Sequence, residues 1–348
     1  MKWQSSSAFR KILIVQTAFI GDVLLITPLV KAVTKKYPSS CLDVMVIPAC
    51  AEILENNIHI ANVILFDKKH NDRGIFGFIH VLKKTRRRGY DLIIAPHRSL
   101  RTALLAFFTG AKVRIGFDNS AGGFLYNVKA EHRWGIHEIE RNLGLISQPD
   151  GDAEPSPPQI FPDGRDEQTV AEVIKSHKLD LGEKPIAIAP GSVWQTKRWP
   201  QDRYKALMQK LVESKFKVVL LGGETDKKLC QALAQGFRQD VINLAGLLSL
   251  RQSTLLLAHC RCLVSNDSAP VHLASAARTP TIVLFGPTIP AFGFGPFMTK
   301  HAIIQHQLSC RPCGVHGAPS CPIKTHACMM AISVDEVMDK ILDFARIE

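Results

Sequence analysis

The stretch Cys262-Leu263-Val264-Ser265-Asn266-Asp267-Ser268-Ala269-Pro270-Val271-His272, running on into Leu273-Ala274-Ser275-Ala276-Ala277, decides how this chain folds. Cys262 to Val264 predicts a buried strand, Ser265 to Ala269 a tight polar turn, and the alanine-rich tract a helix that tolerates Pro270 in its first turn. That order makes an anion site. The first helical turn directs unpaired N–H groups and the positive end of the dipole outward, and a diphosphate suits that position. A phosphate would repel Asp267, so this carboxylate is expected to face sugar or ribose hydroxyls, while Ser268 caps the helix or meets a phosphate oxygen. His272, one turn in, reaches the same anion. A plain Ser/Asp-capped core helix with a buried histidine fits the same residues.

Outward from this point, strand and helix alternate. Lys11 to Val15 reads as a strand, followed by a turn to Gly21 and a helix from Asp22 toward Lys36. Leu42–Ile47, Val63–Leu65, Leu92–Ala95 and Val113–Gly116 are further strands, separated by helical stretches such as Phe76–Arg88 and Ser99–Phe108. Pro149 to Pro162 propagates neither element and reads as a linker; Asp150-Gly151-Asp152 within it is turn chemistry rather than a metal motif. A helix over 166–177 then leads into a second series of strands at Ile186–Ala189, Val218–Leu221, Val241–Asn243, Cys262–Val264 and Thr281–Phe285. The expected fold is α/β, with two doubly wound Rossmann-like domains, 1–160 and 161–330, whose parallel sheets face an interdomain cleft. A final helix starts with the capping box Ser333-Val334-Asp335-Glu336.

Composition narrows the class. With 348 residues, 46% hydrophobic and 21% charged, the chain has material for two globular cores. A formal charge of +12 favours anionic partners. The apolar run Ile12 to Val30 is not a membrane anchor, because Asp22 near its middle would cost about 2.5–3.5 kcal/mol there. The nine cysteines then belong to a reducing cytoplasm. A nucleic-acid-binding protein would suit the charge, but aromatic residues make up only 7% and none stack among the basic ones. No G-x-G-x-x-G follows the first strand of either half, which argues against a dehydrogenase.

Three more polar turns follow predicted strands. In Pro190-Gly191-Ser192-Val193-Trp194-Gln195-Thr196-Lys197-Arg198-Trp199-Pro200, a cation is placed to stabilise a departing diphosphate; a surface loop with cations over indole faces is the alternative. Glu224 of Gly222-Gly223-Glu224 is placed to accept from ribose hydroxyls. Gly286-Pro287-Thr288 shapes the cleft.

Thr196 to Pro200, Asn266 to His272 and Phe285 to Thr288 together resemble glycosyltransferase family 9, the ADP-heptose:lipopolysaccharide heptosyltransferases, and its second-heptose branch more than its first. The resemblance implies a GT-B fold, with an acceptor domain, a nucleotide-sugar domain and a final helix (331–348) that can cross back to the first domain. It also implies inversion at the anomeric carbon, with no cofactor and no catalytic metal. Donor-binding roles fall on Ser192, Thr196, Lys197, Glu224, Asp267, Ser268, Ala269 and His272, with Lys197 also catalytic. Ala269 stands where relatives often carry Gly, and its methyl limits how closely a phosphate approaches. The family's candidate base falls on Asp22, although Asp at a helix start is also a common cap. The implied partners are ADP-heptose and an anionic lipopolysaccharide core, met peripherally at the cytoplasmic face of the inner membrane, with no nucleic acid. A family 9 enzyme using another nucleotide sugar or acceptor shares these donor residues.

Basic residues crowd the first half, and Arg98 and Arg101, just after a strand end, are the expected acceptor contacts. Arg86 to Arg88 sit at a helix end, where cations suit the dipole or attract lipid headgroups. Cys310, Cys313, Cys321 and Cys328 follow a C-x2-C-x7-C-x6-C spacing that superficially suits zinc, but the pairs are uneven for a ribbon; packing thiols or a redox-sensitive pair are the preferred reading.

Overall fold

The computed structural model describes residues 9–147, 153–237 and 239–346. Asp150-Gly151-Asp152 lies outside them. The chain divides into two compact units, one ending at Phe161 and the other starting at Pro162.

The first unit contains strands β1 (Lys11–Val15), β2 (Cys41–Val46), β3 (Asn62–Leu65), β4 (Leu92–Ala95), β5 (Val113–Phe117) and β6 (Val128–Ala130). Its helices are α1 (Ile20–Leu25), α2 (Thr27–Lys36), α3 (Ala51–Leu54), α4 (Gly74–Arg87), α5 (Leu100–Phe108) and α6 (Glu138–Leu143). The strands form one parallel sheet in the order β3-β2-β1-β4-β5-β6. Ile12, Leu13 and Ile14 are all fully buried, because helices cover both faces and the central strand has no wet side.

The second unit contains β7 (Ile186–Ala189), β8 (Val218–Leu220), β9 (Val241–Asn243), β10 (Cys262–Asn266), β11 (Thr281–Leu284) and β12 (His301–Ile304). Around them lie α7 (Gly164–Ser176), α8 (Gln201–Glu213), α9 (Lys227–Ala234), α10 (Leu250–Leu257), α11 (Ala269–Ala277), α12 (Ala327–Met330) and α13 (Val334–Ala345). The sheet order is β12-β11-β10-β7-β8-β9, again all parallel. Both sheets therefore wind outward from their first strand in both directions. The crossover reverses between β1 and β4, and between β7 and β10, and such a switch point opens a crevice at the carboxyl ends of the strands.

Several elements differ from the sequence reading. The helix expected from Asp22 to Lys36 is two helices, with Pro28 in the first turn of α2 and Thr27 Oγ1 donating to the Leu24 carbonyl at 2.7 Å across the break. β10 runs two residues beyond Val264, through Ser265 and Asn266, both fully buried. The edge strands β6 and β12 are only half-buried and carry little of the apolar signature of the others. Residues 153–161 are fastened to the first unit: Gln159 N donates to Thr27 Oγ1 at 2.8 Å, and the rings of Phe161 and His59 meet edge to face. The final helix, α13, sinks Val337, Ile341 and Phe344 into the second unit's own core and lies against α8, β11 and β12. Among the described residues no helix is long and apolar enough to cross a membrane.

Gly116 in β5 tests the packing of the first sheet. A Cβ there would lie 2.3 Å from the ring of the buried Tyr126. Gly116→Ala should destabilise the first unit by about 2 kcal/mol, read as faster amide hydrogen exchange in β5; unchanged protection would mean the ring has room to move.

Candidate active site

The end of β10 is built around Asn266. Its side-chain amide donates to the carbonyls of Pro190 (2.8 Å) and Gly191 (3.4 Å), and its Oδ1 accepts from Trp199 N and Tyr204 OH, both at 3.0 Å. One buried side chain therefore joins the loop after β7, the start of α8 and the end of β10. The next residue, Asp267, is also buried; its Oδ2 accepts from Lys197 Nζ at 2.5 Å and from Thr288 Oγ1 at 2.7 Å. Asp267 Oδ2 thus holds a cation and a hydroxyl in place. Thr288, read from sequence as part of a shaping turn, is one of the two anchors.

Ser268 begins α11 but does not cap it with its side chain. Its hydroxyl donates back to Gly191 O (3.4 Å) and Asn266 O (3.3 Å). Ser268, Ala269 and Pro270 are half-buried, so the helix tip stays accessible with its dipole uncapped by any side-chain oxygen. His272 is buried one turn in. The structure thus brings Lys197, Asp267, Ser268, Ala269 and Thr288 to one strand edge beside an open helix N-terminus. Glu224 follows β8, with its side chain exposed and paired to Lys227 at 2.7 Å, a weak surface contact that a hydroxyl can displace.

The two remaining donor candidates do structural work. Ser192 Oγ accepts from Trp194 N at 3.3 Å, and its carbonyl receives both Nε (2.8 Å) and an Nη (2.6 Å) of Arg198, which fixes the loop. Thr196 Oγ1 donates to the Ala318 carbonyl at 3.0 Å and accepts from the Ala318 N–H at 2.8 Å, the Thr196 N–H donates to the same carbonyl at 3.2 Å, and the Thr196 carbonyl accepts from His326 Nε2 at 2.9 Å. The cysteine-rich segment is thereby tied to the loop that carries Lys197. Arg311 extends the support, donating to Thr288 O at 2.6 Å, with the thiols of Cys310, Cys313 and Cys328 near its guanidinium. The N–H of His326 donates to Cys321 Sγ at 3.4 Å and helps pull that thiol below its ordinary range. Among the described residues no three His, Cys, Asp or Glu side chains converge as a metal-binding group.

In the first unit the carboxyl ends of β1, β3, β4 and β6 gather a second charged cluster. Asp22 lies in the first turn of α1, half-buried, and its Oδ2 accepts from Phe19 N at 3.2 Å, so the capping geometry is present. Its charge acts on two buried neighbours. One is Cys50, whose thiol is pushed up to about 12 by burial and by Asp22. The other is Glu138, which burial raises while its ion-pair partner Arg141 pulls it down. Arg98 is half-buried within reach of the Glu138 and Arg141 charges and donates to Asn119 Oδ1 at 3.4 Å; Arg101 is exposed.

Two more residues belong to this cluster: Lys68, one of the basic residues that crowd the first half in sequence, and His97, which the sequence reading missed. Lys68 donates to Thr17 O at 2.5 Å and stands near enough to Arg101 for each to feel the other's charge. His97 Nδ1 faces the hydroxyls of Thr17 (3.1 Å) and Thr102 (3.3 Å). Burial, with the Lys68 and Arg98 charges, pushes His97 down to about 4, so it stays neutral among cations. His97, one residue before Arg98, stands at the same strand end.

Two Rossmann-like units in one chain, the second with a cation and an open helix tip at its switch point, define the GT-B class of glycosyltransferases. Residues 79–323 match the model of glycosyltransferase family 9 (heptosyltransferase), and the chain belongs to that family. Lipooligosaccharide heptosyltransferase 2 of Haemophilus influenzae is 28% identical over 308 residues, covering 84% of this chain and 88% of that protein. Among solved structures, the glycosyl transferase family 9 protein from Veillonella parvula aligns over 100% of this chain and 99% of its own, with a TM-score of 0.86 at 22% identity. Escherichia coli ADP-heptose lps heptosyltransferase II aligns over 96% and 98%, with a TM-score of 0.75 at 24% identity.

Two outcomes follow from this geometry. Thr288→Val leaves Asp267 its lysine but removes one donor, and ADP affinity measured by calorimetry should weaken about tenfold, the value of a single net hydrogen bond near a charge; unaltered affinity would detach the hydroxyl from the donor site. His97 gives a pH dependence. Below pH 6.5 the unfolded chain takes up a proton that the folded imidazole refuses until about 4, so first-unit stability falls on acidification through that window, by about 2 kcal/mol from this group between pH 7 and pH 5. Hydrogen exchange in β1 and β4 at pH 7 and pH 5 reads it, and protection that grows toward acid would contradict it.

Proposed function

We propose that the protein transfers heptose from ADP-heptose to the inner core of lipopolysaccharide as a second-type heptosyltransferase, with inversion at the anomeric carbon and without a catalytic metal. The observation that carries this reading is the Lys197–Asp267–Thr288 cluster beside the uncapped tip of α11. A diphosphate at that tip meets the helix dipole and the Lys197 ammonium, which stabilise the charge of ADP as it leaves. Asp267 keeps the ammonium oriented rather than binding the anion itself. Glu224, exposed after β8, accepts from ribose hydroxyls, and the Ala269 methyl sets how near the phosphate comes.

Asp22 takes the proton of the acceptor hydroxyl as that oxygen attacks the sugar carbon from the face opposite ADP. Its environment supports the role: an N–H from Phe19 fixes one carboxylate oxygen, and its charge reaches the buried Glu138, on which Arg141 and Arg98 also act. Arg98 and Arg101, joined by Lys68, hold the anionic groups of the acceptor. The names of the relatives support heptose as the sugar and lipopolysaccharide as the acceptor. Because such an acceptor is lipid-anchored, the enzyme acts peripherally at the cytoplasmic face of the inner membrane.

Asp22→Asn should lower the rate of ADP release in the presence of a heptose-deficient core acceptor by about 10²–10⁴-fold, with ADP affinity within about twofold of the parent protein. A near-normal rate would remove Asp22 from the mechanism. Acceptors of defined core length, assayed side by side, identify the step, and release of ADP with none of them would overturn the substrate assignment.

A further inference from the structure

From Arg73 to Phe117 the chain carries ten Lys or Arg residues and a single acid, Asp91. That acid is already engaged: its Oδ2 accepts from the backbone N–H groups of Arg10 and Lys11 at 2.9 and 3.1 Å. Helices α4 and α5, which pack side by side in this stretch, contain no acidic residue at all.

The side chains of α4 divide sharply by direction. Phe78, Val81 and Thr85 turn inward, Phe78 and Val81 joining the core of the first unit. The outward arc is not the polar surface that this division ordinarily leaves. In its first two turns it shows Ile75 (68% exposed), Phe76 (84%) and Ile79 (38%) to solvent. The same stripe, continued at helical spacing from Phe76 through Ile79, becomes cationic at Lys83, Arg86 and Arg87, all exposed. Beside it, the last turn of α5 exposes Phe107 and Phe108, with the Arg114 guanidinium 5.5 Å from the Phe107 ring centroid. Single exposed apolar residues need no explanation, but an apolar stripe that runs into an unopposed cationic one on the same face does.

We infer that the outer face of α4, flanked by the end of α5, docks the protein on an anionic lipid bilayer, with Ile75, Phe76 and Ile79 entering the headgroup–acyl boundary and Lys83, Lys84, Arg86 and Arg87 lying on lipid phosphates. Charge complementarity selects the occupant. A protein partner would need a matching acidic and apolar surface, whereas an anionic leaflet offers both layers at the depths that a helix lying in the interface requires. Gly74 and Arg73 also place the apolar end of α4 just after β3, at the carboxyl edge where Lys68 and Arg101 stand, so docking brings the acceptor side of the first unit to the lipid surface. The inference deepens the heptosyl-transfer reading and rests on it for the reason that a bilayer is met.

Co-sedimentation of the full chain with vesicles of phosphatidylcholine alone, or containing phosphatidylglycerol, tests this. Anionic vesicles should capture the protein and neutral ones should not, with capture falling as salt rises. Phe76→Asp, and separately Lys83, Lys84, Arg86 and Arg87 changed together to Gln, should each weaken capture at least about tenfold, with unchanged thermal unfolding because all five side chains are solvent-exposed. Changing Lys175, Lys178, Lys205 and Lys228 of the second unit to Gln removes the same charge and should leave capture intact. Equal loss in that control, or full capture by the α4 variants, overturns the proposal. So does a dimer that the α4 variants convert to monomer, or RNA binding that they abolish, while vesicle capture persists. ADP release by the parent protein with a delipidated, soluble acceptor is measured in parallel. Turnover without vesicle capture defeats the docking inference alone, and capture without turnover defeats the heptosyl reading alone.

Discussion

The buried amide of Asn266 is the constraint on which the second unit's chemistry depends. An unpaired amide in that position would cost several kcal/mol, and here both its donor and its acceptor atoms are used, each on a different segment. Because the partners are backbone groups of Pro190, Gly191 and Trp199 and the hydroxyl of Tyr204, the strand end cannot shift without breaking several bonds together. The consequence reaches one residue further. Asp267 leaves the strand in a fixed direction, and Lys197, which follows the same β7 loop, has one place to put its ammonium.

A carboxylate so close to an open helix N-terminus that suits an anion looks out of place until its partner is included. The Lys197–Asp267 pair is nearly dry, which makes it a poor source of stability but a good positioning device, since both side chains lose alternative partners. Thr288, held in turn through its carbonyl by Arg311, keeps the carboxylate from rotating. The cysteine-rich segment then has a plain physical role: through Ala318, His326 and Arg311 it clamps the two loops that carry Lys197 and Thr288. The first unit solves the opposite problem. There, cations predominate, and a neutral His97 between two hydroxyls keeps one further charge out of an already crowded corner.

Much of the architecture was legible in sequence because buried parallel strands are short, continuous apolar runs, and β1, β4, β7 and β9 needed no correction. The edge strands β6 and β12 were invisible for the same reason: half-buried, with residues such as Lys129 and His301, they lack the run. Ser265 and Asn266 look like turn residues to any local rule, and only the loops that meet their side chains make them strand. The donor candidates lie at strand ends in the sequence, and the structure gathers Lys197, Asp267, Ser268 and Ala269 at one sheet edge, but which side chains pair with one another there was not readable. That Asp267 pairs with Lys197, and Thr196 with Ala318, depends on contacts 70 and 122 residues apart in sequence. Local capping chemistry misled in the same way: Ser268 has the right residue type for a cap, yet its hydroxyl is drawn to Gly191 O.

The central claim is that the carboxyl edge of the second sheet is a preformed diphosphate site. Hydrogen–deuterium exchange of the whole chain with and without ADP addresses it most directly. The account expects ADP to slow exchange in the loop after β7, at the β10–α11 junction and around Thr288, while β1 and β4 exchange as before. Protection confined to the first unit, or none at the α11 tip under saturating ADP, would contradict it.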